Sequence, residues 1–270
     1  MEEIKKMAEI TWPEFSELMK ETDIALIPVG TLEEHGHHLP LGTDAFSAEN
    51  IAARIAKKVK CIILPPIIYG NNIECWNTSQ WPGSISISSE TLATLYREIG
   101  QEIVRFGARR ILFISGHYNI IGPLTQAAFG IWQKTGAAVG IHEYFILCSD
   151  VTSKYTSCIH ADQVETSMIM ISSKADLIKL DEAVPTIHSF PPPPSEEEKE
   201  LWRRGAMAKY TCTIDESYLH AGNLGDPTKA SKEIGEEVMA DAVDIALKML
   251  DALSRHVDDK KIERYKNFSL

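Results

Sequence analysis

Residues 30–44 read Gly-Thr-Leu-Glu-Glu-His-Gly-His-His-Leu-Pro-Leu-Gly-Thr-Asp and directly follow an apolar run from Ile24 to Val29. The glycines and the proline disfavour a helix, so we expect a shaped loop after a buried strand. The loop is rich in carboxylates and imidazoles, which bind divalent metals when they converge. In an extended backbone Glu33 and His35 point to the same side, and a returning loop can bring Asp44 back to them. The loop is the candidate metal site, and the alternative is a hydrogen-bonded surface loop.

The segments on either side of this loop alternate between strand-like and helix-like patterns. Apolar runs of strand length cover residues 23–29, 61–68, 110–115 and 137–147, and segments with helical spacing cover 45–58, about 89–106 and about 122–134. Such alternation predicts a mostly parallel sheet with helices on both faces, a three-layer α/β/α fold. The polar clusters after the first three strands should therefore gather at one edge of the sheet.

The remaining segments have weaker patterns. Thr11 and Glu14 form a capping-box pattern that predicts a short helix to about residue 21. A polar loop is expected over 149–158, a helix after 160, and a long last helix capped by Thr228 or Ser231. The charged tail from Ser254 is expected to be exposed.

The composition narrows the class of protein. The net charge of −11 over 270 residues disfavours nucleic acid and anionic membranes as partners. No apolar run approaches the ~20 residues that a membrane-spanning helix needs, and the charged N-terminus lacks a signal-peptide pattern. The five cysteines form no Cys-x-x-Cys pair. We predict a soluble cytoplasmic enzyme of one domain, residues 1–270, with a proline-rich, acidic surface segment at 185–200.

The loop is also recognisable. Residues 28–44 closely resemble the creatininase (creatinine amidohydrolase) family signature Pro-Val-Gly-Ser-x-Glu-Gln-His-Gly-Pro-His-Leu-Pro-x-x-x-Asp. Further matching motifs follow in order: Trp-Pro-Gly-Ser at 81–84, Gly-His at 116–117, His-Ala at 160–161 with Glu-Thr-Ser at 165–167, and Gly-Asp-Pro at 225–227. The resemblance spans about residues 28–235.

The resemblance implies a creatininase-like α/β/α fold, two divalent metal ions per subunit (zinc, manganese or iron) and a homo-oligomer, commonly a hexamer. Carried over by position, Glu33 and His117 hold one metal, His35 holds the other, and Asp44 bridges them. His160 matches the catalytic histidine outside the metal cage, which suits transferring a proton or polarising the carbonyl. The implied partner is a small molecule with a carbonyl open to attack by water.

Some positions depart from the family pattern. Creatininase proper has Gly-His-Tyr-Glu-Asn, whose Glu binds the second metal, but this chain has Asn119 there. Glu165 is the nearest replacement, as a metal ligand with a catalytic role or as a partner of a ligand. Asp162, Gln163 and His37 also replace family residues. These changes argue against creatinine itself and leave the metal chemistry intact.

Other side chains have supporting roles in this prediction. His38 is expected to orient a ligand rather than bind metal. Four further residues are expected either to line the substrate pocket or only to pack against their neighbours, namely Trp76, Trp81, Tyr118 and Asn119. The other histidines, at 142, 188, 220 and 256, are expected to be structural or on the surface.

The leading functional hypothesis is a dinuclear-metal-dependent hydrolase that opens or cleaves a carbon–nitrogen bond, in an amide or lactam, of a small, polar, cyclic substrate. One alternative is hydrolytic ring opening of a cyclic polyol ketone of the keto-inositol type. Another is a non-catalytic metal- or metabolite-binding relative, and the last is a structural oligomer whose histidines bind nothing. The sequence leaves the substrate open, because specificity depends on the loops at 69–84 and 149–158.

Overall fold

Four parallel strands form the sheet of the computed structural model, which describes residues 4–72, 81–155, 160–186 and 221–268. The strands are β1 (Ile24–Val29), β2 (Ile62–Ile63), β3 (Arg110–Ser115) and β4 (Ala138–Glu143), in the spatial order β2-β1-β3-β4. The helices of these ranges are α1 (Trp12–Glu21), α2 (Thr43–Ala56), α3 (Ser89–Arg105), α4 (Ile121–Thr135), α5 (Tyr144–Leu147), α6 (Ser149–Thr152), α7 (Gln163–Met170), α8 (Lys232–Ser254) and α9 (Asp259–Phe268). Short 3-10 helices include Tyr118–Ile120 and Pro227–Lys229.

The strand register places the ends of three strands at one edge. Val29 of β1 pairs with Ser115 of β3, and Ser115 pairs with Glu143 of β4, all in parallel. Every residue of β1 is buried, as expected for a strand covered on both faces. The loops that follow β1 and β3 therefore start side by side, which confirms the predicted edge.

Helices cover both faces of the sheet, so the three-layer α/β/α fold is confirmed. On one face Leu26 packs in a cluster with Ile51 of α2, Met168 of α7 and Val238 of α8. The neighbouring Ile27 points to the opposite face, where α3, α4 and α9 pack. No helix in the described ranges is long and apolar enough to cross a lipid bilayer.

Three predicted helix starts are present with their caps. Thr11 and Glu14 form the capping box of α1, in which the Thr11 N–H and hydroxyl both donate to the Glu14 carboxylate. The Ser88 hydroxyl accepts from the Thr91 N–H at the start of α3, and the Ser231 hydroxyl accepts from the Ile234 N–H at the start of α8. These side chains satisfy N–H groups that the first turn of a helix leaves unbonded.

Two strand predictions were too long. The apolar run at 61–68 forms regular strand only at Ile62–Ile63, because Pro65 and Pro66 have no N–H to donate to a neighbouring strand. The run at 137–147 is a strand only to Glu143 and then turns into α5, since an apolar run alone does not separate a strand from a buried helix. The polar segment predicted as loop from 149 contains α6, and residues 156–159 lie outside the described residues.

The predicted exposed tail is wrong in part. After α8 ends at Ser254 the chain forms α9, whose Ile262 is buried in the cluster of α3 and α4. The Asp258 N–H donates to the Gly136 carbonyl and fixes the approach of α9 to the end of α4. Because charged residues surround Ile262 in the sequence, the pattern did not indicate this contact. Of the surface segment predicted at 185–200, only residues 185 and 186 are among the described residues, and 187–200 lie outside them.

Candidate metal centre

The residues of the candidate site come from four separate places in the chain. Glu33 and His35 lie in the loop after β1, and Asp44 lies in the first turn of α2. His117 follows β3, and Glu165 lies in the first turn of α7. All five side chains are buried. The site is therefore an enclosed cluster at the carboxyl edge of the sheet.

Two glycines let the loops approach the start of α2. A Cβ atom at Gly116 would lie 2.0 Å from the Asp44 carbonyl oxygen, and one at Gly30 would lie 2.4 Å from the Ala45 nitrogen. Real Cβ atoms do not come so close to backbone atoms, so any side chain at either position would displace the first turn of α2. These glycines place Asp44 within reach of both loops.

Asp44 lies between two histidines. Its Oδ1 atom is 2.9 Å from His35 Nε2, and its Oδ2 atom is 2.9 Å from His117 Nδ1. A second carboxylate faces each of these nitrogens: Glu165 Oε2 is 3.6 Å from His35 Nε2, and Glu33 Oε2 is 3.2 Å from His117 Nδ1. Each imidazole nitrogen thus meets two carboxylates, one of them shared.

The opposite ring nitrogens are held by main-chain carbonyls. His35 Nδ1 is 3.0 Å from the Glu33 carbonyl oxygen, and His117 Nε2 is 2.9 Å from the Asn71 carbonyl oxygen. A carbonyl only accepts hydrogen bonds, so these nitrogens carry the N–H. In the neutral rings the other nitrogens then direct lone pairs at carboxylates, an arrangement that needs a cation or an added proton between them. Metal-binding histidines are oriented in this way by a hydrogen bond from their second nitrogen.

The buried carboxylates also have acceptor atoms available to a cation. Glu33 Oε1 is buried and makes no hydrogen bond within the described residues, and Asp44 Oδ2 is buried and faces His117 Nδ1. Nitrogen and oxygen atoms converge within 4.8 Å of one another in two sets that share Asp44, namely Glu33–Asp44–His117 and His35–Asp44–Glu165. A further set joins Glu33, His35 and His160. This mixture of imidazole and carboxylate suits zinc, manganese or iron, so the residues present fit a divalent metal.

The electrostatics of the cluster favour positive charge at its centre. Burial lowers the pKa of His35 and of His117, but their facing carboxylates outweigh it and raise the pKa of each well above its ordinary value. Burial raises the pKa of the Asp44 carboxyl, but the two histidines outweigh it and hold that pKa below its ordinary value. A bound cation would satisfy the same ionised carboxylates in place of protons.

Glu165 is oriented by a strained turn. Ala161 has φ +49°, in the left-handed region that residues other than glycine rarely adopt. In this conformation the Ala161 N–H donates to Glu165 Oε2, the same oxygen that faces His35. Strained backbone of this kind concentrates at functional sites.

His160 lies over the second set. Its ring centroid is 4.8 Å from that of His35, and its Nε2 is 3.0 Å from Glu34 Oε1. Burial lowers the pKa of His160, but the Glu34 carboxylate outweighs it and raises the pKa to about 9. Glu34 had no predicted role, because adjacent residues of an extended segment point to opposite sides and its partner lies far along the chain.

The structure places some of the predicted supporting residues near the site and leaves others untested. His38 contacts the Thr166 hydroxyl at 2.9 Å, beside Glu165, rather than any of the five clustered side chains themselves. Tyr118 is exposed next to His117, and Trp81 is half-buried. Trp76 and the side chain of Asn119 lie outside the described part of the chain. His142 is buried and bonded to the Ala242 carbonyl oxygen, as a structural histidine.

Comparisons with known proteins agree with this architecture. A family model described as creatinine amidohydrolase matches residues 8–250. The chain is 30% identical over 246 residues to the mycofactocin precursor peptide peptidase of Mycobacterium tuberculosis, covering 85% of each protein. It is 30% identical over 116 residues to the creatinine amidohydrolase of Pseudomonas putida, or 42% of this chain and 45% of that relative. The match to the 3-dehydro-scyllo-inosose hydrolase of Thermotoga maritima is 27% identical and covers 58% of this chain and 53% of that protein.

Solved structures show the same fold. A creatininase described with manganese has 22% identity and a TM-score of 0.76, and the match covers 93% of this chain and 99% of that one. A mutant creatininase of the Zn–Zn type has 23% identity and the same TM-score and coverage.

Proposed function

The chain belongs to the creatininase (creatinine amidohydrolase) family, whose members are metal-dependent hydrolases, and from that premise we propose that it cleaves an amide carbon–nitrogen bond with two divalent metal ions. The observation that carries this proposal is the position of Asp44. Its two oxygens face two histidines, and each histidine nitrogen faces a further carboxylate. Two adjacent ligand sets that share one carboxylate are what a pair of metals requires.

We assign the ligands by these two sets. Glu33 and His117 would hold one metal, His35 and Glu165 would hold the other, and Asp44 would be shared by both sets. When bound, the metals supply Lewis-acid polarisation of a carbonyl and a water that ionises near neutral pH. Glu165 would thus supply the carboxylate that creatininase proper has at the position of Asn119. Zinc, manganese and iron all remain candidates.

The residues around the metals prepare the reaction. The main-chain carbonyls of Glu33 and Asn71 fix the ring planes of His35 and His117. The buried cluster excludes bulk water, which strengthens each charge interaction within it. His160, outside the two ligand sets, donates a proton to the leaving nitrogen, without which an amine is a poor leaving group.

The substrate wall is assigned to side chains of the loops beside the metals. Tyr118 is exposed directly after His117, which supports contact with a bound substrate. Trp81 lies two residues before Gly83, which packs closely against Leu41 of the loop after β1, since an added Cβ at Gly83 would lie 2.5 Å from Leu41 Cδ1. Trp76 and Asn119 complete the assignment from sequence alone. The leading substrate class is a small polar molecule with a cyclic amide, and the peptidase relative adds peptide amides as a second class.

A substrate panel tests the reaction class. Purified, metal-loaded enzyme is assayed against creatinine, simple formamides, lactams, short peptides and cyclic polyol ketones. Release of an amine or opening of a lactam, absent from the Asp44→Asn variant, supports the proposal. Turnover confined to the polyol ketones would support the alternative that the inosose hydrolase relative suggests. One tightly bound metal and no turnover on any substrate would instead favour a non-catalytic metal-binding protein.

Assembly and location are further parts of the proposal. We expect a single catalytic domain in a cytoplasmic homo-oligomer, most simply a hexamer, acting on a small molecule without nucleic acid or membrane. The buried thiols of Cys61 and Cys148 are free, which suits a reducing compartment. Light scattering coupled to size-exclusion chromatography measures the number of subunits, and a monomer at working concentration would contradict the oligomer.

A further inference from the structure

A carboxylate outside both metal-ligand sets contacts the proposed proton shuttle. Glu34 Oε1 lies 3.0 Å from His160 Nε2, and 126 positions separate the two residues in the chain. Glu34 and His160 are each 6% exposed. Charge-assisted hydrogen bonds in such surroundings are stronger than neutral ones and are little weakened by solvent.

The Glu34 carboxylate is held on its other oxygen as well. The Gly36 N–H donates to Glu34 Oε2 at 3.2 Å. Gly222, with φ +65°, approaches so closely that an added Cβ would lie 2.3 Å from the same oxygen. The carboxylate is therefore confined between the loop after β1 and the segment around Gly222.

The same segment holds the histidine. The Leu224 N–H donates to the His160 carbonyl oxygen at 2.8 Å, in an isolated antiparallel bridge. Gly222 thus confines Glu34, and Leu224, two residues later, holds His160. The ring of His160 is thus held by Glu34, and its main chain is held by Leu224.

We propose that Glu34 is a positioning residue that sets the orientation and the proton location of the His160 ring. An ionised carboxylate only accepts hydrogen bonds, so His160 Nε2 carries the N–H toward Glu34. Nδ1 is then the ring nitrogen that exchanges a proton during the reaction. This role rests on the proposed function, in which His160 protonates the leaving nitrogen.

Two substitutions at Glu34 test the role. Glu34→Ala removes the acceptor, and we expect kcat to fall by about 10–100-fold, the range for partners that orient a functional histidine. KM should stay within about twofold and the metal content should not change, because Glu34 is in neither ligand set. Glu34→Gln keeps an oxygen that accepts from Nε2 and should recover kcat to within about threefold of the wild type. Glu182→Ala, at an exposed glutamate of another segment, is the matched control.

Three results would overturn the role. These are a kcat of Glu34→Ala close to that of the wild type, a Glu34→Gln variant as slow as Glu34→Ala, and loss of metal from Glu34→Ala. Thermal denaturation of each variant confirms that it is folded. If Glu34→Ala does not fold, Glu34→Gln alone decides, since a large loss of kcat there contradicts positioning by the hydrogen bond.

A spectroscopic measurement separates this role from the proposed function. Histidine-selective ¹⁵N labelling, with the His160→Ala spectrum used for assignment, reports which ring nitrogen of His160 carries the proton in the metal-loaded protein. We expect a proton on Nε2 in the wild type and a changed proton distribution in Glu34→Ala, whether or not any substrate of the panel is hydrolysed. A wild-type ring with no proton on Nε2, or no change in the variant, would overturn the role even if amide hydrolysis is found.

Discussion

Asp44 Oδ1 lies 2.9 Å from His35 Nε2, while Asp44 Oδ2 lies 2.9 Å from His117 Nδ1. The two histidines follow different strands, so one carboxylate in the first turn of α2 joins both loops. Like charges would repel if the facing carboxylates Glu33 and Glu165 were ionised with nothing between them. A cation held between these carboxylates would remove that repulsion.

Asp44→Asn should remove both metals. The amide has no negative charge and lacks one of the two oxygens, so neither ligand set keeps its shared anion. We expect elemental analysis to fall from about two ions per chain to fewer than about one, with hydrolysis at background. Asp176→Asn, at an exposed aspartate, is the matched control and should bind as the wild type does. Full metal content in Asp44→Asn would contradict the bridging role.

Glu165→Gln should remove one metal selectively. Glu165 faces His35 but does not belong to the set of Glu33, Asp44 and His117. We expect about one ion per chain to remain, with activity reduced at least as much as for a lost ligand partner, about 10–100-fold. Titration with zinc, followed by calorimetry, counts the sites. Two tight sites in this variant would show that the second metal takes its carboxylate elsewhere.

His160→Ala should separate proton transfer from metal binding. His160 belongs to neither of the two sets that share Asp44, so both ions should stay bound. Loss of a positioned proton donor typically lowers turnover by ~10²–10⁴-fold, and we expect kcat to fall in that range. His256→Ala, at an exposed histidine, is the control for loss of an imidazole. If His160→Ala loses metal instead, His160 is a ligand, as its proximity to Glu33 and His35 would then explain.

Metal removal should destabilise the fold. Ligand that binds only the folded state adds free energy of unfolding that grows with the logarithm of its concentration, about 2.7 kcal/mol at 100 times Kd. Dialysis against a chelator should therefore lower Tm, and zinc or manganese should restore it. The same addition should shift the Tm of Asp44→Asn little or not at all. A chelated protein with an unchanged Tm would mean that the buried cluster holds no metal.

His142 should contribute to acid sensitivity away from the metal centre. Burial lowers the pKa of His142, although the Ala242 carbonyl that its Nε2 faces partly offsets this. As the pH falls, the unfolded chain binds a proton at His142 more readily than the folded chain does. The buried histidine therefore contributes to the free energy of unfolding above the pKa that His142 has in the unfolded chain, and this contribution is lost as the pH falls below that pKa. We expect His142→Gln to flatten the decline in unfolding free energy between about pH 7 and about pH 5. Urea titrations at each pH measure this, and parallel curves for both proteins would contradict it.

The sequence predicted the sheet edge because the necessary information is local. The apolar run before Val29 and the run before Ser115 each set one strand, and the parallel rule then placed their loops together. The structure brings Glu33, Asp44 and His117 within reach at that edge, where the polar clusters after the first and third strands were expected to meet. The start of α2 was also close, with Asp44 in its first turn rather than in the preceding loop.

Contacts between distant segments were not predictable in this way. The pair Glu34 and His160 depends on how the segment at 221–225 folds back, and no local pattern encodes that return. Ile262 appeared isolated among charged residues, yet it is buried because α9 packs beside α3 and α4. In both cases the deciding partner lies more than one hundred residues away along the chain.

Helix α2 connects the metal centre to the hydrophobic interior. Asp44 is in its first turn, and Ile51 and Ile55 of the same helix are fully buried beneath the sheet. A helix rises about 1.5 Å per residue, so Ile55 is about 16 Å from Asp44 along a rigid rod. Packing defects introduced at that far end should therefore appear as weaker affinity for ions, and metal uptake becomes a sensitive gauge of core integrity.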